Sequence, residues 1–119
     1  MPQYRLSRAA VADVADLLDW SEEQFGVAAQ ERYEALIHHA IGDIAAEPLR
    51  RGSTERPELG PGVRSWHIRS SRYGSRRGLV RNPRHLLIYR VERDEVAIGR
   101  VLHDAMDIQQ HVDVDQVWE

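Results

Sequence analysis

Residues 86–91 read Leu-Leu-Ile-Tyr-Arg-Val and form the clearest strand signal in the chain. Four apolar residues stand in a row at its start, which is typical of a strand that is covered on both faces. The charged run Glu92–Glu95 follows and predicts a tight turn into another strand, Val96–Leu102. Two strands joined so closely pair antiparallel, so the second half of the chain is predicted to build a mostly antiparallel sheet.

The first half of the chain predicts a helical hairpin. Ser7 is a suitable N-cap for a first helix because its hydroxyl can accept a hydrogen bond from a backbone N–H, and Gly26 supplies the conformational freedom for its end. Apolar residues of this helix recur three, four and seven positions apart, at Val11, Val14, Ala15, Leu18 and Phe25. A stronger stripe spans residues 29–44 and stops before Pro48, which cannot continue a helix. About two residues join these helices, so they must run antiparallel.

The remaining segments complete an α+β fold of order β-α-α-β-β-β, with the helical hairpin packed on the sheet. They are a short strand Gln3–Leu6, a loop Arg50–Gly62, a strand Val63–Arg69, a helical turn Asp104–His111 and a frayed end Val112–Glu119 in which Trp118 could dock. Residues 1–112 are predicted to form a single domain, and residues 113–119 an acidic tail.

Composition excludes several kinds of chemistry. The 119 residues contain no cysteine, so disulfides, thiolate nucleophiles and cysteine-bound metals are ruled out. All 16 basic residues are arginine, so no lysine can act as a base or Schiff-base nucleophile. The adjacent His38 and His39 point about 100° apart on a helix and cannot share a metal. No metal or cofactor is predicted. The chain has no apolar run long enough to span a membrane, so a cytoplasmic protein without membrane attachment is predicted.

Charge is distributed unevenly along the chain. Residues 1–49, 50–100 and 101–119 carry net charges of −6, +8 and −5, which give the total of −3. The stretch Ser70–Arg84 contains five arginines and no acid. This basic finger is either a contact for an acidic partner or a solvated hairpin tip in which Leu79 and Val80 extend the third strand.

Several stretches, in this order, resemble the ParE branch of the RelE/ParE superfamily of bacterial type II toxins. They are Tyr-Arg-Leu-Ser at 4–7, Glu-Gln-Phe-Gly at 23–26, Pro-Gly-Val-Arg at 61–64, Arg-His-Leu-Leu-Ile-Tyr-Arg-Val at 84–91 and Arg-Val-Leu-His-Asp-Ala-Met-Asp at 100–107. A closing His111 follows the last one. The resemblance covers about residues 3–112, and the Arg-rich stretch and the acidic tail depart from it.

The resemblance implies a toxin that forms a hetero-oligomer with a ParD-like antitoxin. Members with a known target inhibit DNA gyrase, and they reach operator DNA only indirectly, through the antitoxin. Such a toxin acts by binding and has no catalytic residues of its own. A decayed toxin that only binds its antitoxin stays open.

The alternative within the superfamily is a RelE-type mRNA endoribonuclease. Such an enzyme needs a base, an acid and cations for the phosphorane, and RelE-type sites take part of that set from lysines. A substitute site here would draw on His67, His85 or His103, Tyr89, and Arg64, Arg69 or Arg90, if the strands converge them on one surface. The other interpretation of His103 is structural: it hydrogen-bonds the turn that begins at Asp104.

Partner-binding candidates come from the first helix and from the basic segments. Leu17 and Trp20 fall off the main apolar stripe, so they either line an exposed groove or widen the core. Trp20, Phe25 and Tyr33 are otherwise expected in the core. The arginine candidates for partner contact are Arg64, Arg69, Arg72, Arg76, Arg77, Arg81 and Arg84.

Overall fold

The computed structural model describes residues 3–74 and 78–119, and it confirms the α+β class. Its elements are β1 (Tyr4–Leu6), α1 (Arg8–Phe25), α2 (Val27–Ala46), β2 (Thr54–Glu55), β3 (Arg64–His67), β4 (His85–Glu92), β5 (Glu95–His103) and α3 (Ile108–His111). Two 3-10 helices, Pro57–Leu59 and Ile68–Gly74, flank β3. None of the helices in these two ranges is long and apolar enough to cross a membrane.

The five strands form one sheet in the order β1-β5-β4-β3-β2. β1 runs parallel to β5, and every other neighbouring pair is antiparallel. The β4–β5 hairpin has the longest pairing, from His85↔His103 to Glu92↔Glu95, and an irregularity at Ile88/Tyr89 shifts its register by one residue. Its tight turn places Arg93 and Asp94 at positive φ, the twist that two-residue hairpin turns favour.

Ser7 connects the helical hairpin to the sheet. Its hydroxyl oxygen accepts a hydrogen bond from the Ala10 amide at 3.0 Å, as predicted for an N-cap, and the hydroxyl donates to the Gly99 carbonyl at 2.6 Å. Gly26, at φ 90°, separates the two helices. One face of the sheet and the apolar stripes of both helices enclose the main core, which includes Leu18, Leu36, Ile37, Ile41, Ile44, Trp66, Ile68, Leu87, Tyr89 and Ile98.

The C-terminal segment covers the other face of the sheet. Val112, Val117 and Trp118 are buried and form a second core with Leu59, Val63, Leu86, Ile88, Ala97 and Leu102. A Cβ at Gly99 would lie 2.8 Å from Val117 Cγ2 and 3.0 Å from Trp118 Cζ3, so this strand position leaves no room for a side chain. The frayed end predicted for Val112–Glu119 is therefore wrong and the predicted docking of Trp118 is confirmed, because three spaced apolar side chains fill a face that the helices cannot reach.

Other segments differ from their predictions in length. The predicted loop 50–62 contains β2, and Leu59 of the adjoining 3-10 helix is buried. β3 ends at His67, two residues earlier than expected, because the chain turns into the 3-10 helix from Ile68. Leu79 and Val80 do not extend β4, which begins at His85. β2 and the two 3-10 helices are too short to show a recognisable apolar period in the sequence.

Candidate functional site

An apolar groove of about 1210 Å³ opens between the helical hairpin and the segment that leads into β4. Leu17, Trp20 and Phe25 of α1 lie along one side, and Leu79 and Val80 lie along the other. The exposed fractions of Trp20 and Phe25 are 56% and 68%, and their rings pack edge to face at 5.7 Å. Contiguous exposed apolar surface of this kind marks an interaction site.

The groove corrects one prediction about the core and clarifies another. Trp20 and Phe25 are not core residues, because α1 ends at Phe25 and their rings face the groove instead of the sheet. Leu17 is half-buried: it packs against the main core and also lines the groove. Both interpretations of Leu17 therefore hold, whereas Trp20 belongs to the groove.

A polar cluster stands at one end of the groove, where α2 meets the paired ends of β4 and β5. The register places His85 opposite His103, and their rings meet edge to face at 5.4 Å. The Tyr33 hydroxyl lies 2.5 Å from His85 Nδ1 and accepts a hydrogen bond from the Arg84 amide at 3.1 Å. All four residues line the groove.

Beside this cluster, the Asp104 side chain links the ends of β3, β4 and β5 through hydrogen bonds. Its carboxylate accepts hydrogen bonds from Arg84 Nε at 2.9 Å and from His67 Nε2 at 2.9 Å. These two partners hold the pKa of Asp104 well below its usual range. His103 Nδ1 accepts a hydrogen bond from the Ala105 amide at 3.0 Å, which is the contact expected of a histidine that holds the turn.

Burial keeps two members of the cluster uncharged at neutral pH. It raises the pKa of Tyr33 to about 12. Burial, with the nearby His103 as a second cause, lowers the pKa of His85 to about 4. A neutral His85 cannot serve as a general acid at pH 7, and a neutral Tyr33 cannot serve as a base.

The proposed ribonuclease set is brought together only in part. The rings of His85 and His103 lie 5.4 Å apart and His67 contacts Asp104 at the same end of the sheet, whereas the tyrosine and arginine candidates lie elsewhere. Tyr89 is fully buried in the main core, where its hydroxyl donates to the Pro48 carbonyl at 2.5 Å. The Arg90 guanidinium lies on the opposite face, 4.3 Å from the centroid of the Trp118 ring. Arg64 donates to Ser53 near β2, and Arg69 is exposed beyond β3. Tyr89 and Arg90 cannot share a surface, because successive strand residues point to opposite faces.

The arginines predicted to contact a partner are similarly dispersed. Arg81 and Arg84 line the groove. Arg72 lies outside it, with its guanidinium 4.8 Å from the Tyr73 ring. Arg76 and Arg77 lie outside the described residues. Within the part of the chain that the structure describes, no three His, Asp or Glu side chains are placed to hold a metal ion.

The low pKa of His85 predicts an acid-sensitive fold. An unfolded imidazole takes up a proton near pH 6.5, whereas folded His85 takes one up only near pH 4. Between these pH values the unfolded state therefore binds more protons than the folded state. The contribution of His85 to the free energy of unfolding is fully present above pH 6.5 and is lost as the pH falls towards 4. The expected loss is about 2 kcal/mol between pH 7 and 4.5, measured by urea unfolding.

His85→Asn is the control for this loss, because the amide oxygen can still accept from Tyr33 but the side chain does not titrate. The variant should lose about 2 kcal/mol less than wild type over the same range. Parallel pH profiles for the two proteins would contradict the assignment to His85. Below pH 4 both proteins should weaken further as Asp104, whose pKa is lowered, takes up a proton.

The fold and the groove can now be compared with known proteins. The family model described as ParE toxin of type II toxin-antitoxin system, parDE, matches residues 4–108. The chain therefore belongs to the ParE toxin family of type II toxin–antitoxin systems.

Individual relatives agree with this family. The chain is similar to Toxin ParE1 of Mycobacterium tuberculosis, with 31% identity over 92% of this chain and 97% of the relative. It is also similar to Toxin ParE1 of Caulobacter vibrioides, with 33% identity over 94% of this chain and 99% of the relative. A solved structure titled Chromosomal ParDE TA system from P. aeruginosa shares the fold, with a TM-score of 0.62 and 21% identity over 87% of this chain and 96% of that one.

Proposed function

We propose that this chain is neutralised by a ParD-like antitoxin that occupies the groove, and that the free toxin inhibits DNA gyrase by binding. The observation that carries the proposal is the exposed apolar groove in a chain of the ParE family. A gyrase inhibitor acts where the chromosome is, so the proposal places the protein in the cytoplasm. Operator DNA is then contacted only through the antitoxin.

The groove suits a peptide segment with an apolar face. Such segments seat side chains in a hydrophobic groove at regular spacing, and Trp20, Phe25 and Leu79 offer the exposed surface they need. Arg32 and Arg81 also line the groove. Acidic residues on the partner would therefore find complementary charge while its apolar residues are buried.

Binding, and not catalysis, accounts best for the polar groups near the groove. Arg84 and His67 are both engaged with Asp104, so neither is held ready for a reacting phosphate. His85 is uncharged at pH 7, and its Nδ1 is already paired with the Tyr33 hydroxyl, so that nitrogen is not free to act as a base. The basic segment from Arg72 to Arg84 is left as a candidate contact for gyrase or for the antitoxin.

The proposal is tested with purified toxin in a gyrase supercoiling assay and in an mRNA cleavage assay. We expect inhibition of supercoiling without discrete cleavage, and we expect it to persist in His67→Ala and His103→Ala. Losing a catalytic base costs roughly 10²–10⁴ in rate, whereas one histidine seldom dominates a binding surface.

Folding must be established before either result is interpreted, since both histidines hold strand ends. Circular dichroism provides that control for both variants, and antitoxin binding adds a second one for His67→Ala. Discrete mRNA cleavage by wild type that disappears in a folded histidine variant would establish the ribonuclease instead. Wild-type toxin that leaves gyrase activity unchanged would contradict the target.

A further inference from the structure

We infer that the polar end of the groove is a recognition site for a carboxylate side chain of the bound partner, formed by the Nε2–H groups of His85 and His103. The inference rests on the proposed function, because it assigns the chemistry of the segment that fills the groove. It depends on which ring nitrogen of each histidine carries the proton, and the surrounding hydrogen bonds determine this.

His103 is protonated on Nε2. Its Nδ1 lies 3.0 Å from the backbone nitrogen of Ala105. A backbone N–H can only donate, so Nδ1 must be the acceptor and the proton of the neutral ring is on the other nitrogen.

His85 has the same tautomer for a related reason. The Tyr33 hydroxyl already accepts a hydrogen bond from the Arg84 amide, at 3.1 Å. Within residues 3–74 and 78–119, the hydroxyl proton has one acceptor, His85 Nδ1 at 2.5 Å. Tyr33 therefore donates to His85, whose proton is on Nε2.

Both Nε2–H groups are available to a ligand. Neither has a hydrogen-bond partner among the described residues, where Arg90 Nε is the sole buried side-chain nitrogen or oxygen without a partner. Both residues line the groove and are only partly buried. The centroids of the two rings lie 5.4 Å apart, and a carboxylate has two oxygens with which to accept a hydrogen bond from each of two donors.

His67 shows which acceptor such a donor takes at this end of the sheet. Its Nδ1 accepts from the Arg69 amide at 3.2 Å, so its Nε2 carries the proton and donates to the Asp104 carboxylate at 2.9 Å. His103 repeats the backbone contact of His67, and His85 has the Tyr33 hydroxyl in place of a backbone amide, but neither Nε2 has a carboxylate partner among the described residues. A partner's Asp or Glu would supply that carboxylate.

The charge of the groove favours the same ligand. The described residues that line it include no Asp or Glu, and they include Arg32, Arg81 and Arg84, the last of which is paired with Asp104. The apolar walls formed by Trp20, Phe25 and Leu79 suit an amphipathic peptide better than a nucleic acid backbone, which would leave them exposed. The occupant is therefore a peptide segment whose apolar face carries one acidic residue at the histidine end.

Two variants of His103 separate the loss of its Nε2–H donor from a disturbance of the turn that its Nδ1 holds. In His103→Asn the amide oxygen can still accept from Ala105, but no group replaces Nε2–H. In His103→Gln the amide nitrogen lies near the position of Nε2 and keeps a donor. Affinity for the purified full-length antitoxin from the same operon should fall about 10- to 100-fold in His103→Asn and stay within about 3-fold in His103→Gln.

A double-mutant cycle identifies the carboxylate. Each Asp or Glu of the antitoxin's toxin-binding segment is replaced by Asn or Gln, and one replacement should cost affinity against wild-type toxin but little against His103→Asn. The inference is overturned if no acidic residue is coupled to His103. It is also overturned if His103→Asn binds as tightly as wild type, or if RNA binds at this end and loses affinity in that variant.

Trp20→Asp shows whether a negative result contradicts only the carboxylate site or the use of the whole groove by the antitoxin. If Trp20→Asp weakens antitoxin binding and His103→Asn does not, the groove stands and the carboxylate site is wrong. If both variants bind as wild type does, the antitoxin does not use the groove and both proposals are wrong.

Discussion

Trp20→Asp is expected to weaken antitoxin binding about 100-fold while leaving the toxin folded. The indole is 56% exposed in the free protein and forms one side of the groove. A partner that buries it gains an aromatic anchor, and removing such an anchor costs 2 kcal/mol or more, roughly 30-fold. The new carboxylate adds the cost of a charge in an apolar interface. Isothermal titration calorimetry with the antitoxin measures the change.

Val11→Asp is the matched control for this prediction. Val11 also lies on α1 and is 56% exposed, but it does not line the groove. The same charge is introduced into the same helix, so a general effect on α1 would weaken both variants equally. Affinity within about 2-fold of wild type is expected for Val11→Asp, and equal losses in the two variants would contradict a groove-based interface.

The elements with a long apolar period could be predicted from the sequence. The stripe of residues 29–44 and the apolar run from Leu86 lie within α2 and β4, because a helix or strand of that length must bury one continuous face. Ser7 and Gly26 mark the ends of α1 through their own hydrogen-bonding and backbone properties. Local chemistry was sufficient for these features.

The contacts of His85 with His103 and Tyr33 could not be predicted from the residues next to each of them in the sequence. His85 and His103 lie opposite each other because they are almost equidistant from the turn at Arg93 and Asp94, with one residue of irregularity between them. That symmetry about the turn was the available signal. The contribution of Tyr33 depends on how α2 packs on the sheet, which no spacing in the sequence specifies.

The tyrosine and arginine candidates of the ribonuclease set do not meet, for a related reason. Tyr89 and Arg90 are adjacent on β4, so they point to opposite faces whatever the register. One is buried under the helices, and the other stacks on Trp118. The expectation that the strands bring these candidates to one surface does not take this alternation into account.

The end of the chain, Val112–Glu119, is predicted to fray, with Trp118 as a side chain that could dock. Trp118 does dock: it is 8% exposed, and its backbone carbonyl accepts from Arg5 at 2.7 Å. The helices cover one face of the sheet, so Ile88, Ala97 and Leu102 on the other face would meet water without this segment. The apolar face of the sheet is what requires a covering segment. The composition of residues 112–119 alone therefore does not predict that they pack on the sheet.

Trp118→Ala should therefore lower the free energy of unfolding by about 3–4 kcal/mol. Replacing a buried tryptophan removes transfer free energy and leaves a cavity, and such changes cost about 3–5 kcal/mol. Arg90 also loses its cation–π contact, while its Nε is already buried without a partner. A domain of this size has about 5–15 kcal/mol in total, so the loss is a large share of its stability. Urea unfolding followed by circular dichroism measures it.

Trp20→Ala is the matched control, because it makes the same substitution at an exposed tryptophan and should cost less than about 1 kcal/mol. Gly99→Ala tests the same packing from the sheet side. Its Cβ would stand 2.8 Å from Val117 Cγ2, so the segment must shift, at an expected cost of about 1–3 kcal/mol. Equal, small losses for Trp118→Ala and Trp20→Ala would mean that residues 112–119 are frayed in solution. A large loss for Trp118→Ala with a smaller one for Gly99→Ala would establish that these residues cover the sheet.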